Sequence, residues 1–219
     1  MSVVTIERKV LEKNDQIAAQ NRARFAAQRL FVLNLVSSPG AGKTSLLEQT
    51  MDRLRGRVRL GVIEGDVQTD LDATRVARYG VPVVQIVTNG GCHLEARLVQ
   101  EAADQLDLSQ VDLLVIENVG NLVCPATFDL GETMKVVVVS TTEGDDKPLK
   151  YPAMFQAASV LVINKMDLLP YVPCDRGALS WNALGINPAL RIFETSCTTG
   201  TGIAEWCEWL EQEVGRLHA

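Results

Sequence analysis

Seven short runs rich in Val, Ile and Leu punctuate the chain between longer stretches of mixed polarity: Phe31–Val36, Arg59–Ile63, Val83–Val87, Val111–Ile116, Val136–Ser140, Val160–Ile163 and Arg191–Glu194. Near-continuous apolar runs are what strands covered on both faces require, and the stretches between them have the length and character of helices. The pattern predicts an α/β fold with a mostly parallel central sheet flanked by helices. Ahead of it, residues 8–29 set Val10, Leu11, Ile17, Ala18, Phe25 and Ala26 among charged and amide residues, with Leu30 closing the series. That spacing predicts an amphipathic leading helix outside the sheet. At the other end, Trp206-Cys207-Glu208-Trp209-Leu210 predicts a helix packed back onto the sheet. Pro170, Pro173 and Gly177 mark a loop after the sixth strand rather than a domain boundary.

The first apolar run leads into Ser37-Ser38-Pro39-Gly40-Ala41-Gly42-Lys43-Thr44, and helix-forming residues follow from Ser45. A buried strand, a glycine loop and a helix N-terminus in that order present backbone N–H groups and a helix dipole to phosphate oxygens. Lys43 can then reach the β- and γ-phosphates, and the Thr44 hydroxyl can ligate Mg²⁺. Ser37 stands where the G-x-x-x-x-G-K-[ST] pattern has its first glycine. Pro39, Gly40, Ala41, Gly42, Lys43, Thr44 and Ser45 are thus expected nucleotide contacts, and the fold class narrows to a P-loop NTPase.

Asn164-Lys165-Met166-Asp167, directly after the sixth run, selects the base. A carboxylate at Asp167 can accept from guanine N1–H and its exocyclic amine, whereas adenine would leave it unpaired, a difference worth about 10⁴-fold. Asn164 is expected to tie this loop toward the phosphate loop, Lys165 to lie along the base, and Ser196 or Cys197 to offer a backbone donor to the guanine carbonyl. Residues 1–29 therefore read as a leading helix and 30–219 as a GTP-binding domain. The fourth run ends in Glu117, with Gly120 placed to offer its N–H to a γ-phosphate. Asp66, closing Glu64-Gly65-Asp66, faces the same sheet edge; it could ligate Mg²⁺, orient water, or cap a helix beginning near Thr69. Lys43, Asp66 and Glu117 are the candidate catalytic groups, and Thr44, Asp66 and Glu117 the candidate magnesium ligands. No glutamine occupies the segment that usually orients the attacking water, so slow hydrolysis is expected.

The net charge of −6 and the absence of any Lys/Arg run argue against nucleic acid or an anionic membrane as partner. No apolar stretch is long enough to span a membrane, and five scattered cysteines suit reduced thiols in the cytosol. Three residues among these thiols and the two histidines change the picture. Cys92 and His93 are adjacent, and Cys124 lies seven residues after Glu117. Thiolate and imidazole suit Zn²⁺ or Ni²⁺, not Mg²⁺. The alternative is packing: Cys92 as a small hydrophobe, His93 opening a helix at Leu94, and Cys124 filling a loop.

With these segments assembled, the chain resembles the hydrogenase nickel-incorporation accessory GTPases, the HypB family. The resemblance rests on Ser38–Thr44, Glu64-Gly65-Asp66, Gly91-Cys92-His93-Leu94, the Glu117–Pro125 string and Glu143–Pro152, and runs from about residue 30 onward. It implies a P-loop core of the class that dimerises around nucleotide, GTP and GDP with Mg²⁺ as ligands, and Ni²⁺ or Zn²⁺ at Cys92, His93 and Cys124. Implied partners are a second copy, held more strongly with GTP, a zinc-containing accessory protein and the large subunit of a nickel–iron hydrogenase. The region of Leu168, Leu169, Tyr171 and Val172, apolar where a loop is ordinarily polar, is the expected dimer surface. Competing functions are a urease-type nickel GTPase, whose Cys-Pro-His motif this chain lacks, and a passive metal buffer, which the intact Lys43, Thr44 and Asp167 argue against.

Overall fold

Every predicted strand forms. In the computed structural model, which describes residues 6–67 and 71–218, they are β1 (Phe31–Ser37), β2 (Leu60–Asp66), β3 (Val83–Val87), β4 (Leu113–Gly120), β5 (Met134–Ser140), β6 (Val160–Asn164) and β7 (Arg191–Glu194). All recorded pairings are parallel, in the order β3-β2-β4-β1-β5-β6-β7. The helices are α1 (Ile6–Ala27), α2 (Lys43–Leu54), α3 (Leu71–Ala77), α4 (Ala96–Ala103), α5 (Lys147–Lys150), α6 (Pro152–Ala157), α7 (Arg176–Ile186) and α8 (Ile203–His218).

The sheet's alternation separates its two covers. Phe31, Leu33 and Leu35 of β1 face a core shared with α2 and α8, where Leu47, Met51, Trp206 and Leu210 are buried. Val32 and Val36 point the other way, toward α4 and Phe25 of α1 in one cluster and toward α6 and α7 in another. Trp206 fixes α8 to the helix that follows the phosphate loop, its indole N–H donating to Thr50 Oγ1 at 2.9 Å. Phe193 and Trp209 complete an aromatic group with ring centroids 5.2 to 5.4 Å apart.

Strand β1 lies between β4 and β5, so the chain leaves β1 toward β2 on one side and crosses from β4 to β5 on the other. Such a switch opens a crevice beyond the carboxyl ends of the strands, which here are the ends of β1 and β4.

The elements depart from expectation at four places. Strands β2 and β4 run past their apolar stretches because pairing continues through the acids, Glu64 opposite Glu117. Helix α4 starts at Ala96, not Leu94; the Leu94 N–H is held by the Asn118 side chain at 3.3 Å, which makes Leu94 an anchor ahead of the helix. The segment after β6 is a 3-10 helix, Met166–Tyr171, with Pro170 inside it, and Gly177 belongs to α7. Finally, α1 is less amphipathic than predicted: Val10 and Ala26 are exposed, while Asn14 and Asn21 are buried. Thr69 lies outside the described residues.

Candidate nucleotide and metal sites

The crevice holds a cavity of about 560 Å³ walled by Pro39, Gly40, Gly42, Lys43, Thr44, Ser45, Asp66, Glu117, Gly120 and Lys165, with Val67, Asp72 and Arg75 added by the structure. Helix α2 begins without a side-chain cap, so its first N–H groups face this cavity. Gly42 adopts φ +100°, and a Cβ there would collide with the Asn164 amide. Ser37, in place of a glycine, sits within β1 and needs no left-handed freedom; its hydroxyl receives Lys43 Nζ at 3.1 Å. Ala41 is buried behind the loop instead of lining it. The Glu143–Pro152 segment also finds its place here: Glu143 accepts from the Ser38 hydroxyl, and Lys147 Nζ pairs with it at 3.2 Å.

Carboxylates gather at the cavity floor. Glu117 Oε1 accepts from Thr44 Oγ1 at 2.8 Å and lies 3.8 Å from Lys43 Nζ. Glu64, Asp72 and Glu117 bring ligand atoms within 4.8 Å of one another, and both glutamates keep one buried oxygen without a hydrogen bond. Burial first, and the Glu117 charge second, push Glu64 up to about 10. Burial also raises Glu117, against the pull of Lys43 and the Thr44 hydroxyl. Two facing acids with orphaned oxygens beside a threonine hydroxyl are a donor set that a hard divalent cation fits. Asp66 is half-buried on the same wall. Glu64 and Asp72 were not singled out as site residues; an acid inside an otherwise apolar strand was the available signal for Glu64.

At the other end of the cavity, Asn164 does tie the two loops together. Its Nδ2 donates to the Ala41 carbonyl at 3.1 Å, and Lys165, held at φ +60°, reaches the Gly40 carbonyl at 2.7 Å. Asp167, Ser196 and Cys197 form the adjoining loop rather than the cavity wall. Ser196 Oγ donates to Asp167 at 2.5 Å, aligning the carboxylate. The Ser196 N–H is committed to the Thr201 carbonyl at 2.9 Å, which of the two expected backbone donors leaves Cys197. The Cys197 thiol, raised to about 11 mainly by burial, stays protonated.

Cys92, His93 and Cys124 do converge, their donor atoms within 4.8 Å of one another. The two sulfurs stand 3.0 Å apart, and Cys92 Sγ lies 3.5 Å from His93 Nδ1. The hydrogen bond to Cys124 raises the Cys92 thiol, and burial lowers His93, favouring its neutral, ligating form. Two thiols and a neutral imidazole fit a borderline or soft divalent ion. The His93 ring stacks on Phe128 with centroids 3.8 Å apart, and Asn121 Nδ2 donates to the Cys92 carbonyl at 3.0 Å. Behind the Cys124 loop, buried Lys135 donates to the carbonyls of Pro125 at 2.8 Å and Phe128 at 3.3 Å. Buried Asn118 donates to Asn34 at 3.2 Å, and Asn34 to Glu132 at 3.1 Å. None of these supports was legible from spacing. Cys174 and Cys207 lie elsewhere, and His218 stands 3.8 Å from Asp112 near the opposite sheet edge.

A parallel sheet with a glycine loop wrapped from β1 into α2 defines the chain as a P-loop NTPase. Residues 31–194 match the CobW/HypB/UreG nucleotide-binding domain family. The hydrogenase maturation factor HypB of Azotobacter vinelandii is 55% identical over 218 residues, covering 99% of this chain and 72% of that protein. The crystal structure of HypB from Helicobacter pylori in complex with nickel superposes with a TM-score of 0.89 at 38% identity, covering 93% of this chain and 96% of that one. HypB from Archaeoglobus fulgidus gives 0.87 at 39%, covering 93% and 99%. The chain belongs to the HypB family of hydrogenase maturation factors and is a GTPase of that family. Among the described residues, no helix is long and apolar enough to cross a membrane.

Proposed function

We propose that this protein is a slow regulatory GTPase whose nucleotide state controls nickel delivery during maturation of a nickel–iron hydrogenase in the cytoplasm. One observation carries the reading: Glu117 and Gly120, on the nucleotide cavity, and Cys124, in the thiol–imidazole cluster, lie on one short stretch formed by the end of β4 and the turn after it. A shift of that segment on GTP binding would change the metal donors, which is how a two-state element links two ligands.

In this reading residues 30–219 are the GTP-binding domain and residues 1–29 an appended helix. The backbone of residues 39–45 and the Gly120 N–H cradle the phosphates, and Lys43 neutralises their charge. Thr44, Asp66 and Glu117 would hold Mg²⁺, which would supply positive charge against the triphosphate. Glu64 and Asp72 flank Glu117, with ligand atoms of the three within 4.8 Å of one another. Asn164 and Lys165 brace the base loop, Asp167 with Ser196 reads the guanine edge, and Cys197 offers its N–H to the carbonyl. Slow turnover fits a cavity wall that, among the described residues, carries no glutamine. Ni²⁺ is cargo at Cys92, His93 and Cys124, with Zn²⁺ as the competing occupant. The hydrogenase large subunit is the recipient, a zinc-containing accessory protein assists, and GTP strengthens a homodimer.

Nickel affinity should differ between the GDP form and a non-hydrolysable GTP form, and Cys92→Ala/His93→Ala/Cys124→Ala should remove it while GTP turnover continues. Chelator competition in both nucleotide states decides the matter. Equal affinities would leave a passive buffer.

A further inference from the structure

Asn14 and Asn21 are seven positions apart on α1, so two turns of helix place them on one face. Their relative exposures are 5% and 1%, at positions where leucine would serve a packing helix better. Burying an amide is costly unless it is hydrogen-bonded, so the partners matter. Asn14 Oδ1 accepts from the Ala96 N–H at 2.8 Å while its Nδ2 donates to the Asp129 carbonyl at 2.8 Å. Asn21 Nδ2 donates to the Ala96 carbonyl at 2.8 Å and to the Leu130 carbonyl at 3.0 Å. Each asparagine therefore bridges the same two segments.

Those segments are the two that carry the thiol–imidazole cluster. Ala96 follows Cys92 and His93 at the start of α4, and Asp129 and Leu130 close the loop that begins at Cys124 and includes Phe128, stacked on His93. Arg22 adds a paired contact to both Asp129 oxygens at 2.7 Å. Asn21 keeps its bridge although its own Oδ1 is left without a partner. A residue selected for helix packing would not accept that penalty.

We propose that α1 is a positioning element of the metal site: Asn14 and Asn21 staple the Cys92–His93 loop to the Cys124 loop and so set the separation of the donors. This rests on the reading of Cys92, His93 and Cys124 as the nickel ligands. Side chains that orient ligands from behind typically contribute 10- to 100-fold in metal affinity. The staples act through backbone, so the lower figure applies.

The test uses the full chain with Ni²⁺ alone as probe. Asn14→Ala/Asn21→Ala should bind Ni²⁺ about tenfold more weakly, with a shifted thiolate-to-nickel charge-transfer band, and should retain GTP turnover. Phe25→Leu, which loosens α1 without touching the staples, should lower the melting temperature and leave nickel affinity unchanged. Wild-type affinity and spectrum in the double variant would overturn the proposal, as would an equal loss in Phe25→Leu. If the double variant does not fold, Asn14→Ala alone decides: nickel affinity should fall and the Ala96 amide should exchange faster with solvent while β1 amides stay protected. An unchanged Ala96 amide would reject the staple. The underlying site is tested separately, since undiminished nickel binding by the Cys92→Ala/His93→Ala/Cys124→Ala variant would remove the ligands themselves.

Discussion

At the scale of single residues, Asp167 is the side chain on whose two oxygens the proposed base choice would depend. Ser196 Oγ holds one of them at 2.5 Å, which orients the carboxylate before any base arrives. Asp167→Asn presents one donor where guanine needs a second acceptor. It should weaken GTP binding by about 2–4 kcal/mol and favour xanthosine triphosphate, as read by competition binding. An unchanged preference for GTP would remove Asp167 from the base site. Residues whose chemistry is unusual for their place were legible in this way: Lys43 after two glycines, Asp167 after a strand, Cys92 beside His93. Glu64, Asn118 and Lys135 were not. Each is a common polar residue just beyond the end of an apolar run, and only burial beside a particular partner gives it meaning.

At the scale of elements, α8 shows how a distant segment secures the phosphate loop. Its Trp206 is 1% exposed, inserted among β1, β7 and α2, and hydrogen-bonded to Thr50 on the helix that begins at Lys43. Trp206→Ala should cost about 3–5 kcal/mol in denaturant unfolding, and Trp206→Phe, which keeps the ring and loses the bond to Thr50, less than half of that. A cost below about 1 kcal/mol for the alanine variant would mean that α8 is merely draped over the sheet. The closing helix was readable from its apolar spacing, and α1 was only half readable. Its existence followed from the spacing of its apolar residues, but its buried face is built partly from asparagines that bind backbone, and a periodicity of apolar residues cannot register such a face.

At the scale of the whole molecule, the surface following the Asn164–Asp167 segment is the proposed seat of a second copy. Tyr171 is 82% exposed, and Leu168 and Leu169, on the 3-10 helix, and Val172, just after it, are half-buried. Leu168→Ala/Val172→Ala should weaken the dimer formed with a GTP analogue by about tenfold or more, measured as mass in solution by sedimentation. Nucleotide, dimer and metal would then be linked equilibria, so the same variant should narrow the difference in nickel affinity between nucleotide states. A dimer of unchanged affinity would move the contact to the nucleotide face itself.

The apolar runs by themselves determined seven strands, of which the edge strands β3 and β7 turn out only partly buried, their parallel class, and the strand–loop–helix order that makes a phosphate site, because side-chain periodicity and glycine placement are local properties of the chain. The order of strands was decided only in the tertiary structure. Setting β1 between β4 and β5 is what brings Glu117 onto Thr44 and Asn164 onto the phosphate loop, and the order β3-β2-β4 brings Cys124 onto Cys92 across 32 residues of sequence. Spacing along a chain carries no information about which loops share a sheet edge. The buried amides and the Glu132–Lys135 pair belong to the same class of fact, since their value depends on desolvation and on partners that only the folded core provides.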